Sequence, residues 1–457
     1  MLPTPSSPRV NDVFFQPLAE RVAASSHTRP CPEFTDAQWL HLGLQRVLAA
    51  APSGRAFLQE QGPRFADPPK RSNYFVALAS ERRCALARDL NRALLADTVL
   101  PDRLAHMPEL AHYECFALNA HWHRAAAHDP RHEGVKMAVG HCYSLDLRGH
   151  QLRHLTVGEG LHEHDVTMLK RLKPAGLRQG VPKGRRVLLV YDRAALDFAF
   201  WKRCRHECAV YFLSRVKAGM VYDWVDNRPV DEQDPRNRGV TQDRSILTRD
   251  GHRMRIICYT EPLQGQAYEF LTNEPDLPPG VLAELYRRRW EVEKVFDEVK
   301  NKLGQRQAWG TSLVAKAAQG QLVALTHNLL LIYEHRLEQH HAVSNAAEER
   351  RRAKRVAELQ RISAQAGRAT STLLSSARRA LPALGEVHPV VAPCAARKPH
   401  GSGRCAPPHH PLRLTLNHHH WTPLARRIHL PCRFSPPEKQ LPIKFARTHP
   451  VDFSDRL

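Results

Sequence analysis

Four side chains suited to gripping a phosphodiester, Tyr286, Arg289, Glu293 and Lys300, lie at i, i+3, i+7 and i+14. On one continuous α-helix, at about 100° per residue, they share roughly 60° of the circumference. Leu285, Val292, Val295, Phe296, Val299 and Leu303 occupy the adjoining arc and would anchor that helix to a core. Glu293 can hold a divalent cation, while Arg289 and Lys300 can pair with phosphate oxygens. Ordinary helices laced with i,i+4 ion pairs have the same spacing, so spacing alone leaves both readings open.

A helix of this kind needs a scaffold, and the sequence before it supplies strands. Val187-Leu-Leu-Val-Tyr191 is almost wholly apolar, as a central strand buried on both faces must be, and it ends at Asp192 followed by Arg193. An Asp in that place is either a ligand at a strand end or the cap of the next turn. Cys115–Leu118, Ala138–Leu147, Ala209–Leu213, Met254–Tyr259 and Ala267–Leu271 also read as strands. Polar turns separate the later ones at Asp226-Asn227-Arg228-Pro229 and Leu263-Gln264-Gly265-Gln266. Upstream, helical periodicity is weak over Trp39–Leu48 and stronger over Ser72–Leu100, where Arg82, Arg83, Arg88 and Arg92 lie between the leucines. Those arginines are either a solvated helix face or phosphate contacts. Helices resume at Pro279 and run to about Leu337.

The fold class is therefore α/β. The expected organisation is a helical region over 1–110, a candidate for DNA-end binding, a core in two parts (111–203 and 279–340), and a β-rich insertion over 204–278. A basic helical segment over 341–385 and a Pro/His-rich tail over 386–457 complete it. Twelve of the 34 prolines and His418-His419-His420 fall in that tail, a composition that favours disorder over a packed core.

Lys and Arg total 67 against 46 Asp and Glu, a formal charge of +21, which favours a polyanionic partner. The ten cysteines show no C-x-x-C pair, which speaks against a disulfide framework or a cysteine-rich zinc site and for a reducing compartment. The first ten residues lack the apolar run of a signal peptide, and Leu322–Tyr333 is too short and too polar to span a bilayer.

With Trp290 directly after Arg289, the stretch from Tyr286 to Lys300 resembles the Y-x2-R-x3-E-x6-K signature of the insertion-sequence-4 group of DDE transposases. Tyr268-Glu-Phe-Leu-Thr-Asn273 and Tyr211-Phe-Leu-Ser-Arg-Val-Lys217 resemble that family's strands before the helix. The likeness covers roughly residues 113–337. It implies a ribonuclease-H-like core, interrupted by a β-rich insertion, in which two Asp on strands and a Glu on a later helix hold Mg2+ or Mn2+, two ions in all. It further implies cut-and-paste transposition of a bacterial insertion sequence: binding of double-stranded DNA at terminal inverted repeats, a homodimer on DNA, and a cytoplasmic, nucleoid-associated protein. Asp192 and Glu293 then fill the second and third carboxylate positions as metal ligands. Tyr286, Arg289, Trp290 and Lys300 become DNA and phosphate contacts.

The first Asp is missing. By position it should end the strand Cys115–Leu118, where this chain has Asn119-Ala120-His121. An amide oxygen carries no charge, and a two-metal site depends on carboxylates. Three explanations stay open: an enzyme that has lost activity, Asp129 or Asp146 as substitute ligand, or a different register. His121, His123, His128 and His141 suggest a transition-metal site, or, for His121 alone, a residue orienting water or phosphate near the centre. The competing function is a catalytically inactive, transposase-derived DNA-binding protein, and a third is a nuclease with the same core.

Overall fold

The structure, a computed structural model, describes residues 10–49, 53–62, 69–129, 131–132, 135–136, 139–160, 163–192, 197–262, 265–341 and 354, all within one unit spanning 1–375. Arg193, nearly all of the expected segment 341–385, and the tail 386–457 lie outside the described residues.

Five helices come first: α1 (Val10–Ala24), α2 (Asp36–Leu48), α3 (Gly54–Gln61), α4 (Arg71–Leu78) and α5 (Glu81–Ala96). Thr35 and Gln38 cap α2 reciprocally, each accepting the other's backbone N–H at 3.1 and 2.9 Å. The periodic stretch from Ser72 divides because Ser80 stops α4 and caps α5. The arginines of α5 largely serve the fold. Arg82 and Arg83 both bind the buried Asp36 at 2.6 and 2.8 Å, and Arg88 and Arg92 flank Asp89.

Then follow β1 (Tyr113–His123), the short pair β2 (Arg131–His132) and β3 (Val135–Lys136), β4 (Val139–Asp146) and β5 (Leu152–Val157). Next come α6 (Asp165–Leu177), β6 (Arg186–Val190), α7 (Phe198–Cys208) and β7 (Val210–Arg215). The chain continues through β8 (Tyr222–Arg228), β9 (Val240–Thr248), β10 (Arg253–Thr260) and β11 (Ala267–Thr272) to α8 (Pro279–Arg288), α9 (Trp290–Asp297) and α10 (Leu313–His341). One nine-stranded sheet has the order β5-β4-β1-β6-β7-β11-β10-β9-β8. β5, β4 and β1 are antiparallel neighbours, and β6 and β7 join them in parallel through helical crossovers. That order is the ribonuclease-H-like core that the family likeness implies.

The β-rich segment does not stand apart from this core. β11 pairs with β7, and β10, β9 and β8 prolong the same sheet. β7 itself, inside the range 204–278 read as an insertion, is the fifth strand of the core order. The sequence Asp226-Asn227-Arg228, read as a turn, is the end of β8. This is an edge strand exposed on both faces, so it shows no apolar alternation. The buried pair Arg255–Asp243, at 2.7 and 2.5 Å, ties β10 to β9, and Arg255 also donates to the Leu277 carbonyl just before α8.

Side-chain alternation sorts the sheet into two faces. Phe116, Leu118, Val187, Leu189 and Phe212 pack under α6 and α7. Cys115, Ala117, Leu188, Val190 and Leu213 share the other core with the N-terminal helices and α8–α10. α10 is buried among α2, α5 and β5. Its Asn328 amide oxygen accepts the Leu152 N–H, and its nitrogen donates to the Leu152 carbonyl and to Asn91, all at 2.8 Å. A Cβ at Gly43 would meet Leu322 at 2.7 Å, so glycine is what lets α2 approach α10. Among the described residues no helix is long and apolar enough to cross a membrane.

Candidate active site

β1 and β6 run side by side, and their last register pair is Ala117 with Val190. Asn119 and Asp192 each lie two residues beyond that pair, so the two positions are level at the same end of neighbouring strands. Parity with Ala117 and Val190 turns both toward the α8–α10 face, where α9 packs against β1. Asn119 folds its amide oxygen back onto the Ala120 N–H at 2.9 Å. Burial raises the pKa of Tyr286 and of Asp165, in the first turn of α6, and Asp192 lies close enough for its charge to add to both.

The helix above is less regular than the spacing predicts. At Arg289 it tightens to i,i+3 bonds, Arg289 N–H to Tyr286 O and Val292 N–H to Arg289 O, which divides α8 from α9. Beyond Asp297 it widens into a π-helical turn, Glu298–Lys302, where the Leu303 N–H reaches the Glu298 carbonyl at 3.0 Å. Tyr286, Arg289 and Glu293 keep their common side, while Lys300 is displaced from the ideal stripe and stands exposed on the π turn. Its charge still reaches His121 at the end of β1.

Around Glu293 the polar groups are held tightly. Arg289 is buried and donates to Glu293 at 2.6 Å, and its guanidinium stands over the rings of Tyr286 and Trp290 at 5.8 and 5.3 Å. Among the described residues Arg289 Nε and the Tyr286 hydroxyl have no hydrogen-bond partner. Tyr286 packs on Phe270, and burial pushes its phenol up to about 12, with Asp192 adding and Arg289 opposing. Trp290 is 59% exposed beside them.

Neither proposed substitute for the first Asp stands at the centre. The Asp129 carboxylate accepts the Ala126 N–H at 2.7 Å and pairs with Lys316, so it closes a turn. Asp146 pairs with Phe116 near the start of β1 and takes the N–H groups of Arg148 and Gly149. Asn119 pairs instead with Tyr143, three residues further along β1. Asp165 is a further carboxylate near Asp192 for which no expectation came from the sequence. His164-Asp165 directly before an apolar-periodic helix was the available sign.

The donor set that the family likeness implies is thus two carboxylates, Asp192 and Glu293, and the Asn119 amide oxygen. Such a set fits a Mg2+-type ion, which takes one or two carboxylates and completes its shell with phosphate oxygens and water. No cluster of three or more His, Cys, Asp or Glu side chains able to hold a metal occurs among the described residues.

The histidines form a different object. His121, His123, His141 and His154 run in a buried line beneath α9 and α10, with successive ring centroids 4.8, 4.6 and 5.3 Å apart. His141 and His154 are hydrogen-bonded at 3.2 Å, and Gln321 donates to His154. Both ring nitrogens of His123 lack a partner among the described residues. Burial holds His123 and His154 down at about 3, His121 at about 4 and His141 well below the usual imidazole range. His154 on β5 went unnoticed in the sequence, and the exposed His128 stands apart from the line.

Residues 119–329, a little under half of the chain, match the family model described as "Transposase DDE domain". No curated protein matches. Among solved structures the chain is similar to "Crystal structure of Aa-Ago with externally-bound siRNA", at 12% identity over 46% of this chain and 29% of that one, with a TM-score of 0.21. The chain thus spans less than a third of that protein, and a likeness so low assigns nothing here.

Proposed function

We propose, from the premise that residues 119–329 are a transposase DDE domain, that this chain is the DNA transposase of a bacterial insertion sequence with an impaired first metal position. The reading is carried by one arrangement: Asn119 and Asp192 level on adjacent strand ends, with Glu293 on the helix packed over that face. The substrate is double-stranded DNA at the element's terminal inverted repeats and at its target, engaged by a homodimer.

Asp192 and Glu293 are the charged ligands for Mg2+ or Mn2+, with the Asn119 amide oxygen as a neutral third. A divalent ion at such a centre stabilises charge on the transferring phosphoryl group and lowers the pKa of the attacking water. Arg289 fixes one Glu293 oxygen and leaves the other for the ion. The unpartnered Tyr286 hydroxyl and Arg289 Nε are donors for phosphate oxygens, Trp290 offers an exposed ring, and Lys300 supplies a mobile cation at the rim. With only two carboxylates, the spacing of two ions loses one of its charged bridges, which is the physical basis of the impairment.

The second reading, a catalytically inactive DNA-binding descendant, is favoured by the Asn119 amide oxygen already accepting the Ala120 N–H. Cleavage of DNA carrying the gene's flanking sequences, in Mg2+ and in Mn2+, separates the two. Cutting by Asn119→Asp alone, or enhanced by it, supports the impaired enzyme. Binding without cutting by either protein supports the descendant. Cutting by the unchanged protein that Asn119→Asp abolishes would reject position 119 as the lost carboxylate.

A further inference from the structure

We infer that a groove between the N-terminal helices and the segment after the Glu293 helix is a second DNA-backbone site, which holds the phosphates of the strand leaving the candidate centre. The inference rests on the reading of the chain as a DNA-acting protein and adds a place on it.

The groove is a cavity of about 960 Å3 into which five arginines converge: Arg46, Arg55, Arg71, Arg124 and Arg306. Its described lining contains no Asp or Glu. Several guanidinium groups elsewhere in the fold sit on carboxylates, as Arg82 and Arg83 do on Asp36 and Arg255 does on Asp243. None of these five forms an ion pair with a described residue. Five like charges around one cavity repel one another and raise its potential, so the complementary occupant is an anion with several charges. Because the arginines come from four separate segments of chain, one small anion does not satisfy them. A DNA strand, with a phosphate at every nucleotide, does, and planar guanidinium forks match phosphate oxygens.

Hydrogen bonds tie the groove to the end of β1 and to the π turn. Arg124 directly follows β1, five residues past Asn119, and its N–H donates to the Arg306 carbonyl at 2.8 Å. Ala308 N–H in turn donates to the Arg124 carbonyl at 2.9 Å. Arg306 Nε donates to the Lys300 carbonyl at 3.1 Å, so the groove begins where the π turn ends. Its far wall is built before any ligand arrives. Arg46 is buried, with its guanidinium 4.2 Å over the Trp309 ring and bonded to the Tyr74 hydroxyl at 3.2 Å. The N-terminus of α3, capped by Ser53 and without an acidic first turn, adds its positive end to the rim. A side chain at Gly54 would collide with Phe75 and come within 3.0 Å of the Arg46 guanidinium, so glycine keeps this wall open.

The test is the salt dependence of binding of a fluorescent duplex, carrying the gene's flanking sequence, to the full chain. Arg55, Arg71 and Arg124 are exposed, so the triple variant Arg55→Gln/Arg71→Gln/Arg124→Gln should fold, with thermal melting as the check. Each lost phosphate contact lowers the slope of log K against log salt by about 0.9, so the triple variant should lower it by roughly 2 to 3. The matching triple Lys variant should keep the original slope, as should a control with Arg203, Arg249 and Arg253, exposed residues that do not line the groove, changed to Gln. If the triple Gln variant melts early, Arg124→Gln alone carries the test, with an expected drop of about one. An unchanged slope in the groove variants, or an equal fall in the control, overturns the groove while leaving the parent reading in place. Failure of the unaltered protein to bind any DNA overturns both.

Discussion

Consider His123→Leu, with stability followed from about pH 7.5 down to pH 5 by urea unfolding and circular dichroism. In the folded chain His123 and His154 are held near 3 by burial, whereas an unfolded imidazole titrates near 6.5. A depressed folded pKa means that the unfolded chain takes up protons first. Their contribution is therefore complete above about 6.5 and drains away as pH falls through 6.5 toward 3. At about pH 5 each group has lost about 1.5 pH units' worth, or about 2 kcal/mol. Two such groups remove about 4 kcal/mol from a fold whose whole stability is of order 5–15, and His141 acts in the same direction. The buried carboxyls of Glu114, Asp146 and Asp165, whose pKa values are raised, oppose the trend. The decisive quantity is therefore the difference between the two proteins. His123→Leu should lose about 2 kcal/mol less than the parent between those pH values. Parallel losses in both proteins would refute the buried-imidazole account.

Three further outcomes follow from the site and its supports. Glu293→Gln should abolish metal-dependent cleavage while DNA affinity, read by mobility shift, stays within about threefold, because the amide still accepts from Arg289 but holds no cation. Tyr286→Phe deletes a buried hydroxyl with no described partner, so urea stability should change by less than about 1 kcal/mol while the cleavage rate falls. Asp243→Ala leaves Arg255 charged and buried, and should cost about 3–5 kcal/mol in urea unfolding.

What the sequence disclosed tracks burial. β6, β7, β10 and β11 could be read because their residues are apolar where the sheet is covered. Asp192 stood out because a charge ends such a run. β8 could not be read, since an edge strand with most of its residues in solvent has no pattern to impose. β5 was hidden by the polar His154 and Thr156, of which His154 packs against Gln321 and Gly320 from a distant part of the chain. The stripe from Tyr286 to Lys300 was legible to the extent that the helix is regular. The tight turn at Arg289 and the π turn after Asp297 both change its phase, and neither leaves a mark in residue type. The groove arginines were legible only as charge, because nothing local joins Arg55 or Arg71 to Arg306.

The position of α10 has a bearing on biosynthesis. Helices α2 and α5 and strand β5 lie within residues 36–157, yet the surface that covers them belongs to residues 313–341. As the ribosome delivers the polypeptide, Asn91 and the Leu152 backbone wait for Asn328, more than 170 residues later. A nascent chain that has emitted the whole strand system still lacks the helix that covers α2, α5 and β5. A chain terminated before α10 therefore yields a fragment whose N-terminal helices and β5 lack the surface that covers them.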